Sequence, residues 1–244
     1  MSGRKRVDGQ GAYVLHTHPY SESSLVVEVL TRDHGRLALV AKGARRPMSS
    51  LRGRLMAFQP LEIGWFGGGE VKTLAKADWR GVPGTLRGRS LLVGYYLNEL
   101  LLKLLPREDP HPGVFHAYGE TLGALGGPAN DAVVLRRFEK ALLQELGYGL
   151  TLETEAGSGR PVDPLRHYRY VIERGPVQVS DEGRAGGEED EAVLGKTLLD
   201  LASGVLDDPR SLGESRALMR RLLAHYLGGQ ALQSRRVFME LQDF

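Results

Sequence analysis

Ser24-Leu-Val-Val-Glu-Val-Leu-Thr31, Arg32-Asp-His-Gly35, Arg36-Leu-Ala-Leu-Val-Ala41 and Lys42-Gly-Ala-Arg-Arg-Pro-Met-Ser-Ser-Leu-Arg-Gly-Arg54 follow one another without a break. The first and third runs are rich in valine and leucine and read as strands. Between them, the tetrapeptide ending in Gly35 reads as a hairpin turn, with glycine supplying the backbone angle other residues avoid. The fourth run departs from strand character. From Val40 to Arg54 it holds five basic residues, Lys42, Arg45, Arg46, Arg52 and Arg54, and no acidic one. A flexible cationic connection held between strands can follow a phosphate backbone.

Working outward, Ala12–His16 precedes this hairpin as a further strand. Phe58–Phe66 and Glu70–Lys76 follow as a pair joined by Gly67, Gly68 and Gly69. Five short strands in one small unit predict a barrel closed on itself, which removes exposed edges. The five-stranded barrel that most often binds single strands is the OB-fold.

After Gly84 the pattern becomes helical. Arg89–Leu105 is apolar almost all round and predicts a buried helix, stopped by Pro106. Its Glu99 and Lys103 stand at i, i+4 in the favourable order. His111–Leu125 reads as a weaker helix. Asn130 or Asp131 can cap the next one, whose Val134, Phe138, Leu142 and Leu146 form a core stripe ended by Gly147. Residues 150–190 are rich in Gly, Glu, Asp and Pro. They are expected to contain one hairpin, with Tyr168–Glu173 and Val177–Ser180 as strands and Gly175-Pro176 between them. Asp181–Glu191 reads as a solvated loop. Helices are expected again at about Glu191–Leu201, at Leu212–Tyr226 and near Ala231–Leu241. The fold class is therefore α+β: an N-terminal five-stranded OB barrel in residues 1–84, then a mostly helical domain in residues 85–244. A small β-hairpin and polar loop interrupt that domain at about 150–190.

Charge separates along the chain. Residues 1–90 hold 15 Lys and Arg against 7 Asp and Glu, a balance of +8, whereas residues 91–244 hold 17 against 23, a balance of −6. A basic N-terminal unit suits polyanions, although a merely soluble basic surface would have the same composition. The absence of cysteine excludes disulfides and cysteine-ligated zinc and fits a reducing cytoplasm. Arg4, Lys5 and Arg6 lead into polar and glycine residues, which predicts no secretory signal. The most apolar stretch, Leu91–Leu105, is shorter than the roughly 20 residues that cross a bilayer, so no membrane partner is expected.

Arginine presents five fixed donors to phosphate and lysine a point charge, which makes Lys42, Arg45, Arg46, Arg52, Arg54 and the downstream Lys72 the candidate phosphate contacts. Trp65 and Phe66 are candidate stacking platforms for bases, with packing inside the barrel as the competing reading. Gly195-Lys196-Thr197 has the ending of a phosphate-binding loop. Asp190, however, stands where that motif needs glycine, and the run before it is acidic and polar, so nucleotide binding is rejected. His16 and His18 share a strand face, but no third ligand lies near, and no metal or cofactor is expected. No paired acid and base or serine-nucleophile motif is present, so an enzyme is not expected. In the helical part, Arg136 and Arg137 with Lys140, and Arg216 with Arg220 and Arg221, border apolar stripes. A groove with a cationic rim and an apolar floor suits an acidic peptide with a hydrophobic end, and ordinary salt bridging is the competing reading.

The blocks VAKGARRPMSSLRG, GEVKTL, YLNELLLKLLP, LRRFEKALLQELGYG and YLGG followed by SRR closely resemble the bacterial RecO family, the recombination mediators of DNA repair. The resemblance runs from Tyr13 to about Arg236, with the blocks in the family's order. It implies an N-terminal OB-fold and a helical C-terminal domain. It also implies binding to single- and double-stranded DNA, annealing of complementary strands, and cooperation with RecR in loading RecA onto strands covered by single-stranded DNA-binding protein (SSB). The SSB C-terminal tail, acidic and ended by phenylalanine, docks on the helical domain in members of the family. The resemblance thereby gives Arg136 and Arg137 a role at or near that site, with Arg216 and Arg220 as further candidates. The implied location is cytoplasmic, with the nucleoid. Some members carry a cysteine zinc module near residues 150–180; with no cysteine here, Gly157–Arg169 is expected to hold its shape by packing alone. The competing reading is an OB-fold adaptor that binds protein and has no direct DNA role. A hydrolase or nuclease would need clustered carboxylates, which the sequence lacks.

Overall fold

The computed structural model describes residues 6–81, 85–179 and 192–234. The chain divides into two compact units. One comprises Met1–Gly127 joined by the chain's return from Leu232, and the other comprises Pro128–Ala231.

In the first unit, β1 (Arg6–Tyr20), β2 (Ser24–Thr31), β3 (Gly35–Ala41), β4 (Pro60–Phe66) and β5 (Val71–Trp79) close a barrel in the order β1-β2-β3-β5-β4. The five-stranded OB barrel is thus observed. Closure depends on the length of β1, which is 15 residues against the five expected for Ala12–His16. Its first half pairs with β4 and its second half with β2. A strand that turns this corner needs irregularities, and β1 has one between Val7 and Gln10 and another between Val14 and His16. The parallel pairing of β3 with β5 completes the circuit. Alternate residues Val27, Val29, Leu37, Leu39, Leu61, Ile63 and Trp65 fill the interior.

Gly35 opens β3 with φ of +66°, and a Cβ there would lie 2.1 Å from the Asp109 carbonyl oxygen, so no other residue fits this turn.

Helices α1 (Gly88–Leu104) and α2 (Pro112–Ala124) pack in the same unit. Their attachment to the barrel is polar as well as apolar. Leu15 falls at the second irregularity of β1, outside the strand register. Its carbonyl instead accepts from the buried Asn98 amide at 2.8 Å, and Asn98 accepts from the Tyr118 hydroxyl at 2.6 Å. The connection between the two helices is tied down by Arg36, which donates to the Leu105 carbonyl, and by Arg107, which joins Arg36 on the buried carboxylate of Glu28. Glu99 makes the expected contact with Lys103 at 3.5 Å. Its carboxylate also accepts from the Gln233 and Ser234 amides and from the Ser234 hydroxyl, which explains why the returning chain joins this unit.

In the second unit, α3 (Asp131–Glu145) is capped by Asn130, whose side chain accepts from the Ala132 amide. Val134, Phe138 and Leu142 of the expected stripe are buried. β6 (His167–Val171) and β7 (Gly175–Gln178) form the hairpin. The turn, however, is at 172–174, with Glu173 at φ of +64°, and Gly175-Pro176 opens the second strand. The helix expected from Glu191 instead starts at α4 (Gly195–Ser203). Val193–Leu194 forms β8, pairing with β6 as the third strand of the sheet. Helix α5 (Pro209–Tyr226) begins three residues before the expected Leu212, because Asp208 caps it and Pro209 fits its first turn. The loop expected at Asp181–Glu191, and the part of the helix expected near Ala231–Leu241 that follows Ser234, lie outside the described residues.

Packing alone does not hold Gly157–Arg169. The Glu155 carboxylate accepts from the Ser158 hydroxyl at 2.6 Å, from Arg160 at 3.2 Å and from the Tyr168 hydroxyl at 3.1 Å. A bridge from Thr154 to Pro161 closes the loop around it. Glu214 plays a similar part for α4, accepting from the Thr197 hydroxyl, the Leu194 amide and Arg210. The Ser158 hydroxyl bond, reinforced by Tyr168 and Arg160 against the cost of burial, holds the Glu155 carboxyl below its ordinary value of 4.5. For Glu214 burial is the largest influence and opposes ionisation, but Thr197, Arg210 and Leu194 together outweigh it and the carboxyl is again held low. Both folded-state values lie below 4.5, so the stability these groups contribute is complete above about pH 4.5 and is lost as pH falls through the folded values. Thermal melting of the second unit is expected to move downward below that pH. Glu155→Gln should weaken this acid dependence, and an unchanged melting profile between pH 6 and pH 3 would remove both carboxylates from this role.

Candidate nucleic-acid interface

The basic segment is ordered by its own apolar residues. After β3 ends at Ala41, Gly43 takes φ of +69° and turns the chain so that Ala44 drops fully into the barrel core. Successive turns follow, with the Ser49 amide donating to the Arg46 carbonyl, Arg52 to Ser49 and Leu55 to Leu51. Leu51 and Leu55 pack on the same core. With Ala44, Leu51 and Leu55 drawn inward, Lys42, Arg45, Arg46 and Arg52 are left facing solvent. The segment is therefore a pinned series of turns, not a flexible connection.

Both of its ends are fastened. At the start, the Arg45 amide donates to the Ser23 carbonyl and its guanidinium to the Ser21 carbonyl at 3.1 Å, which ties the segment to the β1–β2 turn. At the far end, Arg54 donates to the Ala77 carbonyl at 3.1 Å and to the Asp78 carboxylate at 2.9 Å, and the Trp79 indole N–H donates to the Arg54 carbonyl. The segment thus lies from the β1–β2 turn to the end of β5.

These placements sort the expected contacts. Among the described residues, Lys42, Arg45, Arg46 and Arg52 have no ion-pair partner, and the exposed Glu22 in the β1–β2 turn makes none with them. Arg54 belongs to the fastening, shared with Asp78 and Lys76. The Asp78 carboxyl is held below its ordinary value chiefly by Lys76. Lys72 does not join the group. It is buried, donates to the Gly69 carbonyl at 3.2 Å and pairs with Glu108 at 2.5 Å. Strand direction explains why: Lys72 lies near the start of β5, beside the β4–β5 turn, whereas the segment meets the strand's far end. Trp65 is also corrected, because only 2% of it is exposed and it packs in the barrel core, edge-on to His34.

The basic residues of the second unit divide similarly. Arg136 is buried and paired with Glu139 at 2.9 Å, one turn further along α3, so it cannot line a surface groove. Arg137 donates to the Gly204 carbonyl at 2.6 Å and Lys140 to the Ala202 carbonyl at 2.5 Å, covering the carbonyl end of α4. Arg216 and Arg220 are exposed on the outward face of α5.

Lys196 pairs with Asp200 and Asp208, and Thr197 is buried against Glu214, so the glycine-lysine-threonine run serves the helix packing. His16 and His18 lie with ring centroids 4.2 Å apart, and no group of three possible metal ligands occurs among the described residues. No helix among those residues is long and apolar enough to cross a membrane.

Comparison with known proteins decides the family. The family model described as Recombination protein O N terminal matches residues 9–82, and the one described as Recombination protein O C terminal matches residues 87–236. The chain belongs to the RecO family. It is 58% identical to the DNA repair protein RecO of Aromatoleum aromaticum over 245 residues, 54% to that of Azoarcus sp. (strain BH72) over 243 residues and 52% to that of Dechloromonas aromatica over 246 residues. Each alignment covers 100% of both chains. Membership of the RecO family supports a role in DNA repair and recombination. The RecO N-terminal match ends three residues after Trp79, at the end of the barrel.

Sequence reasoning missed the polar cluster of Glu28, Arg36 and Arg107 that ties the α1–α2 connection to the barrel. Glu28 is one acid in a strand-like run, and nothing near it in the chain points to Arg107. Their junction is created by a pairing 79 residues apart in the chain. It also passed over Tyr20 and Trp79 in favour of Trp65 and Phe66. The available signal was position: both are aromatics at strand ends, where the inward and outward alternation stops.

Proposed function

We propose that this chain is a non-enzymatic recombination mediator whose barrel holds single- and double-stranded DNA by its phosphates. It anneals complementary strands and, with RecR, helps load RecA onto SSB-coated single-stranded DNA at the nucleoid. The observation that carries the reading is the group Lys42, Arg45, Arg46 and Arg52, which is solvent-facing and without acidic partners among the described residues, on a segment pinned at both ends. A pinned cationic surface meets a phosphate backbone with little ordering cost, and releases counterions as it does so. Neutralising two strands at once lowers their mutual repulsion, and base pairing then completes annealing. The contacts are to phosphate, so they position the strand without reading its sequence. Titration of a labelled oligonucleotide at two salt concentrations, together with a strand-annealing assay, tests this on the Arg45→Glu, Arg46→Glu chain. Annealing that survives the double reversal would remove the segment from the function.

The SSB tail is assigned to the helical unit, and its cationic contacts to Arg216 and Arg220. Arg137 is a weaker contributor because its guanidinium already serves the Gly204 carbonyl. An acidic tail has the charge these exposed guanidiniums would take. Arg216→Glu with Arg220→Glu is expected to weaken tail-peptide binding at least tenfold while sparing affinity for naked DNA. Equal loss of both would sink the two-surface arrangement.

A further inference from the structure

Half of the large apolar side chains that stand exposed among the described residues gather at the basic segment and its two fastenings. Tyr20 is 53% exposed at the end of β1, next to the β1–β2 turn that receives Arg45. Met48 is 98% exposed at the centre of the segment, directly after Arg46-Pro47. Met56 and Trp79 are exposed at its far end, and Trp79 retains 47% of its surface although its indole N–H is fixed on the Arg54 carbonyl. A surface that only attracted phosphates would have no use for such groups, and solubility would disfavour them. Apolar faces set among unpaired cations are what a strand with unstacked bases needs, since its phosphates take the cations and its bases the rings.

We infer that Tyr20 and Trp79 are base-stacking platforms at the two ends of the basic segment, and that they make this surface prefer single-stranded over double-stranded nucleic acid. The inference rests on the proposed phosphate contact of the same segment and adds to it what distinguishes the two kinds of DNA. In a duplex the base faces are covered by their neighbours, so only the cations engage. In a single strand the bases splay outward and each can lie on a ring. The indole of Trp79 is preset by its hydrogen bond to Arg54, so little freedom is lost when a base stacks on it. Tyr20 is held less firmly, by its strand pairing with Ser24. Met48 lies between the two and presents an apolar tip against which a base edge can rest.

The chain supplies its own probe. It contains two tryptophans, Trp79 at the surface and Trp65 in the barrel core, so quenching by added oligothymidylate reports on Trp79. Wild-type fluorescence is expected to fall on titration with the oligonucleotide. In Trp79→Phe the remaining Trp65 signal should not change. Trp79→Ala combined with Tyr20→Ala should lower oligothymidylate affinity by roughly five- to a hundredfold for each ring, with duplex affinity held within about twofold. Trp79→Phe keeps a ring but loses the bond to Arg54, so it should retain most of the single-strand preference. If the phenylalanine variant fails as fully as the alanine one, Trp79 only positions the segment and the stacking role is overturned. Equal loss of single- and double-strand binding, or no loss at all, overturns it too. Those outcomes leave the phosphate reading intact, because that reading is tested separately by reversal of Arg45 and Arg46.

Discussion

Reversing Arg45 and Arg46 to glutamate is expected to abolish strand annealing and to flatten the salt dependence of single-strand binding. The slope of log affinity against log salt should become shallower by about 1.4, because each phosphate contact to a single strand contributes about 0.7. At 0.1 M salt the lost contacts alone correspond to roughly a 25-fold fall in affinity, and two new carboxylates facing the phosphates add repulsion. The fold should survive. Both side chains are exposed, and the turns are held by Ala44, Leu51 and Leu55 together with backbone hydrogen bonds. The Arg45 guanidinium does give up its bond to the Ser21 carbonyl, but the Arg45 amide keeps its bond to Ser23. Reversal of Lys72 would be a misleading comparison, since it would break an internal pair with Glu108 and test stability instead of binding. A slope that does not change on Arg45 and Arg46 reversal would show that phosphates contact another surface.

Glu28→Ala is expected to cause the largest loss of stability in the barrel unit, about 3–5 kcal/mol. The Glu28 carboxylate is buried and receives Arg36 at 3.1 Å and Arg107 on its other oxygen. Removing it leaves the largely buried Arg36 guanidinium without its counter-charge. The total stability of a folded domain is commonly only about 5–15 kcal/mol, so this single change approaches the threshold of unfolding. The consequence extends past the pair. Arg36 also holds the Leu105 carbonyl, and the Glu108 amide donates to the Arg36 carbonyl, so the α1–α2 connection depends on the same residue. Glu28→Gln retains an acceptor oxygen and should cost less. Denaturant unfolding followed by the buried Trp65 would measure both variants, and a loss below about 1 kcal/mol for the alanine change would show that the cluster is not what fastens the connection.

Much of the architecture is local and was legible from the residues. Alternating valine and leucine placed β2 and β3, glycine at 35 closed their hairpin, and Asn130 and Gly147 bounded α3. Such signals act between residues a few positions apart. The extent of β1 was not legible, because its outer parts are stabilised by pairing with β2 and β4 and not by their own composition. β8 escaped for the same reason: two residues have no strand signal until β6 lies beside them. The shape of the loop around Glu155 likewise depends on Tyr168, which reaches it from 13 residues away.

By itself the sequence determined that a basic barrel unit would precede a helical one, and that one segment would concentrate unopposed positive charge. It could not decide which cations stay available. Lys42, Arg46 and Arg52 are, as sequence, no different from Lys72 and Arg54, yet Glu108 reaches Lys72 across 36 residues and Asp78 reaches Arg54 across 24. Arg136 has its partner within the same helix turn, and only its burial against the core side of α3 shows that the pair faces inward. The sign of a charge belongs to the residue that carries it. Neutralisation and burial fall off within a few ångströms of space, so they belong to the folded chain.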